Sequence, residues 1–372
     1  MRRLNAVDGS NDEMATGGTT DAAAATRIES RATSFDVAAL AGVSQSAVSR
    51  AFTPGSSIAE SKRQRILEAA RKLAYVPNSI ASSLTTRRTG IVAVILGNMA
   101  NPFYGEVLRT FIDRLQAQGR HVLTFTVENG ADSDEAILRV LRYQVDGVVL
   151  TSAQLSTRMT GICHDRGIPI VLFNRYIPGS DASGVRCDNA GGGRQMAEAF
   201  LAAGAQSFAM IKGDPRGTTS QDRVRGFAER LLEAGIDRDD IVEIEGASTY
   251  DGAFNALLRE YRRAPRRLPD AIFGINDIMA LGAMDALRHR LGVRIPDDVM
   301  VGGFDDIPQS RRLPYQLTTV RQPVDRMVDE ALAMLHLDEP RRPIERGVDR
   351  QLPGRLIWRA TISMPAAGKL GG

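Results

Sequence analysis

The sequence predicts an α/β protein, with a basic helical block near the N-terminus and two doubly wound lobes behind it. Two observations predict this class. Beyond Gly90, short apolar runs alternate with amphipathic helix patterns, which is typical of parallel sheets covered on both faces. Before Gly90, a basic segment shows helical periodicity instead. The 372 residues, 43% of them hydrophobic, are enough for two or three domains.

The repeating part of the chain contains eight strand candidates and six helix patterns. The strands are predicted at 91–96, 121–127, 147–151, 168–173, 207–211, 241–245, 271–275 and 299–304. The helices are predicted at 106–118, 134–144, 192–203, 221–234, 250–262 and 277–290. Eight strands over this length favour two sheets. Because doubly wound sheets bind ligands at the carboxyl ends of their strands, two lobes predict a cleft between them.

The chain divides into four predicted segments. Residues 1–31 are rich in small and polar residues without periodicity, which predicts a disordered tail. Residues 32–76 form the helical block, 77–89 a connector and 90–365 the lobes. The two N-terminal arginines precede no apolar run, and no stretch reaches the roughly 18 apolar residues of a membrane helix. We therefore expect a cytoplasmic protein with no membrane contact.

Charge is concentrated near the N-terminus. Between Arg31 and Gly90 there are nine Lys/Arg and three Asp/Glu, a net charge of +6, whereas the whole chain carries +3. A basic module on a mildly acidic body predicts a polyanion as partner. The two cysteines, Cys163 and Cys187, have no CxxC or Cys/His spacing, so we expect neither a disulfide framework nor a metal site.

Residues 34–51 have the spacing of a helix-turn-helix. Ala38 lets two helices approach closely, Gly42 suits the turn, and Val48 packs the second helix onto the first. Ser44 is placed to cap the second helix. The predicted inner face comprises Val37, Ala38, Ala41, Val43, Val48 and Ala51. The outward residues, which suit hydrogen bonds to bases and phosphates, are Gln45, Ser46, Ser49 and Arg50.

A third helix at 60–73 is predicted to close this small core with Ile66, Leu67, Ala70 and Leu73. The alternative is an ordinary helical hairpin with solvated charges, because the Ala–Gly–Val spacing also occurs by chance. Local basic charge, an uncharged polar face and the third helix together favour DNA binding.

Several segments, in order along the chain, carry a family resemblance. They are DVA at 36–38, AGVS at 41–44, VSR at 48–50, YVPN at 75–78, NPFY at 101–104, RVRGF at 223–227, ND at 276–277, GFDD at 303–306 and LTTVRQP at 317–323. With Ala81 and Leu84, they resemble the LacI/GalR family of transcriptional regulators. The resemblance spans residues 34 to about 323. It implies a helix-turn-helix headpiece and a two-lobed, periplasmic-binding-protein-like body that binds an effector and dimerises.

For DNA, the resemblance assigns roles to individual residues. Gln45, Ser46 and Arg50 match the residues that recognise bases in the major groove, and Ser44 and Ser49 match phosphate contacts. A second set matches a hinge helix that folds on operator DNA, and its predicted contact residues are Asn78, Ala81 and Leu84. Leu84 matches a leucine that wedges into a base step, where unstacking is offset by contacts to bent DNA. The alternative for Leu84 is an exposed leucine in a flexible linker.

The chain departs from the family at two places near the headpiece. Ser82 stands where an arginine often follows the hinge alanine, which weakens the expected phosphate contacts. Ala59 stands where a serine usually caps the third helix, so we expect that helix start to be less stable by about 1 kcal/mol.

For the effector, the resemblance points to strand and helix ends facing the cleft. The best supported contacts are Arg223, Asn276 and Asp305. The others are Asn101, Phe103, Tyr104, Asn174 and Arg175. Alternatives stay open: Phe103 and Tyr104 could be core residues, and Asn174 and Arg175 could brace the cleft wall. Arg223 could be a surface helix residue, and Asp305 an N-cap or turn residue.

The sequence therefore predicts a DNA-binding regulator, a repressor, controlled by a carbohydrate-type effector. A homodimer on a pseudo-palindromic operator follows from the resemblance. A solute-binding protein and a sugar-modifying enzyme are the alternatives. We expect neither catalysis nor a cofactor, because the four histidines are scattered and Gly191–Arg194, GGGR, lacks the spacing of a phosphate loop.

Overall fold

The computed structural model describes residues 32–53, 55–76, 88–127, 133–151, 155–263, 268–339 and 345–363. The chain forms two compact units, one up to Thr85 and one from Thr86. The predicted tail and the predicted hinge residues Asn78, Ala81 and Leu84 lie outside the described residues.

The first unit contains α1 (Ser34–Ala41), α2 (Gln45–Phe52) and α3 (Glu60–Lys72). Their apolar faces meet in one small core, which buries Val37, Ala38, Ala41, Ala47, Val48, Ala51, Ile66, Ala69 and Ala70. Val43, Leu67 and Leu73 are only partly buried, unlike the other predicted core residues. Ala47 was not predicted to be buried, and its small side chain lets α2 lie close to its neighbours.

Local hydrogen bonds fix the ends of these helices. Gly42 adopts φ +62° at the end of α1, a conformation that favours glycine, and the chain turns there into α2. The hydroxyl of Ser44 accepts a hydrogen bond from the backbone N–H of Ala47 at 3.3 Å, so the predicted cap is present. Ala59 precedes α3 without any side-chain cap, as its residue type dictates.

The second unit contains two six-stranded sheets. The first, in the order β11-β5-β4-β3-β1-β2, is parallel throughout; the second, in the order β12-β10-β9-β8-β6-β7, is parallel except for β12. The strands of the first sheet are β1 (Ile91–Leu96), β2 (His121–Thr126), β3 (Gly147–Leu150), β4 (Ile170–Phe173), β5 (Ser183–Cys187) and β11 (Asp349–Leu352). Those of the second are β6 (Phe208–Lys212), β7 (Ile241–Glu245), β8 (Ala271–Gly274), β9 (Met300–Asp305), β10 (Thr318–Arg321) and β12 (Arg355–Ile357).

Helices cover both sheets. Those of the first lobe, the lobe of the first sheet, are α4 (Pro102–Ala117), α5 (Ser133–Leu141), α6 (Thr157–Asp165) and α11 (Val324–Met334), which packs on α4 and β5. Those of the second lobe are α7 (Asn189–Ala202), α8 (Thr218–Glu233), α9 (Tyr250–Arg263) and α10 (Asp277–Arg290). Short 3₁₀ turns lie at Arg238–Asp240 and Pro308–Arg311.

The chain passes between the lobes at three places: after β5, after β10 and between β11 and β12. Each lobe is therefore built from separate stretches of sequence. The sheets are fully buried at their centres, where Val94, Val149, Phe273 and Val301 are 0% exposed. A single core cluster includes residues of both lobes.

In the second lobe, α7 and α8 touch backbone to backbone. A Cβ atom at Gly226 would lie 2.0 Å from the carbonyl oxygen of Ala190, a distance that no side chain could occupy. Glycine at this position therefore fixes the spacing of the two helices.

Among the described residues, none of the helices is both long and apolar enough to span a lipid bilayer. Cys163 and Cys187 are both buried thiols.

Candidate nucleic-acid interface and effector cleft

The predicted recognition residues lie on the outside of α2. Gln45, Ser46, Ser49 and Arg50 are all exposed, and Ser44 is exposed at the cap. Gln45 donates from Nε2 to the hydroxyl of Ser34 at 3.1 Å, and Arg50 donates from Nε to the carbonyl oxygen of Ser46 at 3.3 Å. These contacts leave donors and acceptors free for a partner.

One basic residue of α3 has a structural role. Arg63 donates to the carbonyl oxygens of Ala51 at 3.1 Å and Ser56 at 3.3 Å. It thereby holds the end of α2 and the chain that follows. Lys62, Arg65 and Arg71 have no ion pair among the described residues, so their charge is available to a polyanion.

A cavity lies between the lobes at the carboxyl ends of their strands. All eight residues predicted for the effector line it: Asn101, Phe103, Tyr104, Asn174, Arg175, Arg223, Asn276 and Asp305. The space between the lining residues, including the open mouth, is about 450 Å³. Hydrogen bonds cross it from one lobe to the other, as from Nδ2 of Asn101 to Asp305 at 3.2 Å.

Arg223 and Asp305 form a buried ion pair in the second lobe. Nη2 of Arg223 lies 3.2 Å from Oδ1 of Asp305, and both side chains are almost inaccessible to solvent. Arg223 also donates to Asn189 and to the carbonyl oxygen of Ile275, each at 2.8 Å. Its guanidinium lies 3.7 Å from the centre of the Phe304 ring. Arg223 is thus not a surface helix residue, because it is buried and its guanidinium is bonded within the second lobe.

Asp305 also connects the two lobes. Its Oδ2 accepts a hydrogen bond from Nδ2 of Asn101 at 3.2 Å, and its Oδ1 accepts one from Gln322 at 2.7 Å. Its backbone has φ +123°, which L-residues rarely adopt, so the end of β9 is strained where it aims this carboxylate. Burial raises the pKa of Asp305, although the positive charge of Arg223 opposes the increase.

Asn276 and Asp277 follow β8 but have different environments. Asn276 caps α10 by accepting from the N–H of Met279 at 3.0 Å, and it lines the cavity. Asp277 is 0% exposed and accepts hydrogen bonds from Ile307 N–H, Ser310 and Thr319, so it fastens the loops of the second lobe. Burial raises the pKa of Asp277 to about 7, and the nearby charge of Asp305 adds to the increase.

The aromatic residues of the first lobe are both core residues and cavity walls. Phe103 is 1% and Tyr104 4% exposed, with ring centres 5.2 Å apart in an edge-to-face arrangement. Phe103 and Tyr104 therefore belong to the core of the first lobe and also line the cavity.

Asn174 and Arg175 follow β4 at the cavity wall. Arg175 donates from Nη1 to the hydroxyl of Thr219 in the second lobe at 2.5 Å and from Nη2 to the Tyr104 hydroxyl at 3.5 Å. Asn174 has φ +54°, is 2% exposed, and its Oδ1 has no hydrogen-bond partner. Arg175 therefore braces the cleft, while Asn174 lines it and has a buried acceptor without a partner.

Sequence reasoning missed several cavity residues: Asn98, Asp214, Thr219, Ser220 and Ser248. Asn98, Asp214 and Ser248 follow β1, β6 and β7, so the rule that selected the predicted residues also applied to them. Thr219 and Ser220 belong to the first turn of α8, which begins earlier than its apolar pattern indicates.

A second group of charged residues joins the lobes beside the cavity. Arg186 of β5 forms ion pairs with Asp222 of α8 at 3.0 Å and with Asp349 of β11 at 2.8 Å. Tyr176 donates to the same Asp222 at 3.2 Å. Within the described part of the chain, no group of three or more His, Cys, Asp or Glu side chains is placed to hold a metal ion.

Both units of the chain match known protein families. Residues 35–78 match the bacterial regulatory proteins of the lacI family, and residues 197–362 match the periplasmic binding protein-like domain. The HTH-type transcriptional regulator CelR of Thermobifida fusca is 32% identical over 306 residues, covering 80% of this chain and 89% of that protein.

Solved structures agree with this assignment. The chain is similar to a transcriptional regulator CelR–cellobiose complex, with 30% identity, a TM-score of 0.64, and coverage of 89% of this chain and 100% of that one. Its fold is also that of a lac repressor dimer bound to operator and the anti-inducer ONPF, at a TM-score of 0.78 and 24% identity over 89% of this chain and 99% of that one. With both units matched in order and a relative this similar over most of its length, the chain belongs to the lacI family of bacterial regulatory proteins.

Proposed function

We propose that this family member is a transcriptional repressor whose operator affinity is controlled by a sugar-type effector bound between its lobes. The observation that carries the proposal is the combination of an exposed polar face on α2 with a polar cavity at the strand ends. The relatives support it, because they are named as transcriptional regulators and one was solved with cellobiose.

The DNA contacts we propose are the exposed residues of α2. Gln45, Ser46 and Arg50 contact base edges, where amide and guanidinium groups pair with adenine and guanine, and Ser44 and Ser49 contact phosphates. The hinge contacts Asn78, Ala81 and Leu84 stay a prediction. A homodimer on a pseudo-palindromic operator completes the proposal, in line with the dimeric lac repressor complex.

The effector contacts we propose are the eight predicted cavity residues, with Arg223, Asn276 and Asp305 at the centre. Without a ligand, polar groups of the cavity bond to one another across the lobes, as Asn101 does to Asp305. An effector replaces these hydrogen bonds with its own, so it changes the angle between the two lobes. We also propose that the protein is cytoplasmic and nucleoid-associated, and that it does not turn over its ligand.

The test has two parts. Selection of a randomised duplex library on the full chain should enrich a pseudo-palindromic site; enrichment of nothing over bulk DNA at low salt would remove the regulator assignment. For the enriched site, effector affinity is measured with and without operator. Because coupling between two sites is reciprocal, the effector must change operator affinity by the factor that operator changes effector affinity. Unchanged affinities would reject control by the cavity.

A further inference from the structure

We infer that the effector of this chain carries one anionic group, a carboxylate or a phosphate, in addition to hydroxyls. Arg175 and the N-terminus of α8 form the subsite for that group, and Asn174 accepts a hydrogen bond from a hydroxyl beside it. This inference rests on the proposed function, because it specifies the ligand of the same cavity.

Two arginines, Arg175 and Arg223, and two aspartates, Asp214 and Asp305, line the cavity, but Arg175 has neither aspartate as its partner. Arg223 pairs with Asp305 at 3.2 Å, and Asp214 pairs with Arg216 at 3.2 Å. Arg175 has no carboxylate oxygen within salt-bridge distance among the described residues, and its two hydrogen-bond partners are the neutral hydroxyls of Thr219 and Tyr104. One positive charge is therefore left over in a half-buried place, where a counter-charge is most favourable.

Asp214, which also lines the cavity, is already paired with another arginine. Burial opposes ionisation of Asp214, but hydrogen bonds from the backbone and side chain of Arg216, and the charge of Arg175, lower its pKa. Arg216 bonds to both carboxylate oxygens of Asp214, at 3.2 and 3.3 Å. Asp214 thus keeps its charge at neutral pH, yet it is held by Arg216 rather than by Arg175.

The start of α8 adds positive potential at the same place. Its N-cap, Gly217, supplies no side-chain acceptor, so the first N–H groups of this 16-residue helix stay available, and Gly217, Thr219 and Ser220 line the cavity. A Cβ at Gly217 would lie 3.2 Å from Nη1 of Arg175, so the guanidinium lies directly against this helix end. Helix N-termini favour anions through their free N–H groups and their dipole.

Asn174 gives an independent indication that a ligand group belongs here. Its side chain is 98% buried, since only 2% is exposed, and its Oδ1 has no partner. Leaving such a group unsatisfied costs about 1–3 kcal/mol. A ligand hydroxyl beside the anionic group satisfies that oxygen, while the planar fork of Arg175 binds a carboxylate or phosphate through two parallel hydrogen bonds.

The experiment compares matched probes by calorimetry on the full chain. The pairs are glucose with glucuronate and ribose with ribose 5-phosphate, and inorganic phosphate alone is the smallest anion. We expect the acidic member of at least one pair to bind about tenfold more tightly than its neutral partner, or ~1.4 kcal/mol. The two pairs distinguish a carboxylate from a phosphate.

Variants tie this preference to the subsite. Arg175→Gln should abolish the preference for the acidic member, and Arg175→Lys should keep part of it. The control is Arg166→Gln, the same loss of charge at an exposed position of the same lobe, which should keep the full preference.

Three results would overturn the inference. The neutral members bind as tightly as the acidic ones, or Arg175→Gln weakens both members equally, or no probe, inorganic phosphate included, binds in a way that depends on Arg175. Operator selection on the same preparation, without any probe, separates these results from failure of the proposed function. A chain that selects an operator but prefers neutral sugars would refute this inference alone.

Discussion

The polar residues of α2 and those of the cavity differ in their environments. Gln45 and Arg50 are exposed, and each makes one hydrogen bond within the headpiece. Arg223 and Asp305 are buried, and each has several internal partners. The difference teaches how the two kinds of partner are accommodated. DNA approaches from outside, so the residues that contact it can be solvated before it binds. A small ligand is enclosed, and Arg223 and Asp305 pair with each other when it is absent.

The largest effect is expected where an internal partner is removed from the cavity. Asp305→Ala leaves the guanidinium of Arg223 buried without its counter-charge, which should destabilise the second unit by about 3–5 kcal/mol. Urea unfolding of the full chain measures this loss. The control is Asp237→Ala, at an exposed carboxylate, and a loss below about 1 kcal/mol at Asp305 would contradict the comparison.

A smaller effect, and one on DNA rather than on stability, is expected at α2. Gln45→Ala and Arg50→Ala should each reduce discrimination between operator and random DNA by about 1–3 kcal/mol, with little change in unfolding. Gel-shift titrations on both duplexes measure it. Gln64→Ala, which removes an exposed glutamine on α3, is the control. Equal losses on both duplexes would mean that these residues contact only the backbone.

The turn before α2 is expected to be sensitive to backbone conformation alone. Gly42→Ala places a methyl group in open space but at φ +62°, so it should cost about 1–2 kcal/mol of headpiece stability. Hydrogen exchange of α1 and α2 measures this. Gly105→Ala adds the same methyl in open space within a helix and should stabilise instead. A Gly42→Ala headpiece as stable as wild type would show that the turn is not conformationally demanding.

The smallest expected effect is a gain. Ala59→Ser supplies the missing cap of α3, whose N-cap backbone is already extended, and should stabilise the headpiece by about 1 kcal/mol. Ala59→Val, which has no acceptor, is the control. The same hydrogen-exchange measurement applies, and equal values for the two variants would argue against capping.

The centre of the fold was predictable because buried parallel strands are continuous apolar runs. All eight predicted strands are present, with ends within two residues, and they divide equally between the two sheets. Sequence reasoning missed four short strands, β5, β10, β11 and β12. The first three are rich in polar residues, and β12 has only three residues. Their pairing is decided by the strands beside them rather than by their own pattern.

Helix existence was easier to predict than helix boundaries. α10 begins and ends as predicted, whereas α4 begins four residues earlier, at Pro102, and α7 and α8 each begin three residues earlier. These helix starts carry Pro, Gly, Asn and Thr, which serve as caps and do not continue the apolar period. α6 and α11 were missed entirely.

The residues that line the cavity could be predicted, but the hydrogen bonds between them could not. The rule that ligands bind at strand ends placed eight residues at one site, yet it could not show that Asn101 bonds to Asp305 across the lobes. Such a contact joins residues 204 apart in sequence, and it depends on how closely the two lobes approach. Asp277 follows the cavity residue Asn276 but bonds to Ile307, Ser310 and Thr319 instead. These partners are also distant in sequence, so the rule could not show them.

The contact at Gly226 has a mechanical consequence. Because no side chain separates α7 from α8 at Gly226, the two helices have no soft layer at this point in which a displacement could be absorbed. Arg223 stands one turn before this contact and is bonded to Asn189, the first residue of α7. If a ligand contacts Arg223 as proposed, a displacement of that residue has a bonded route to Asn189, beside Asp188, where the chain passes from one lobe into the other.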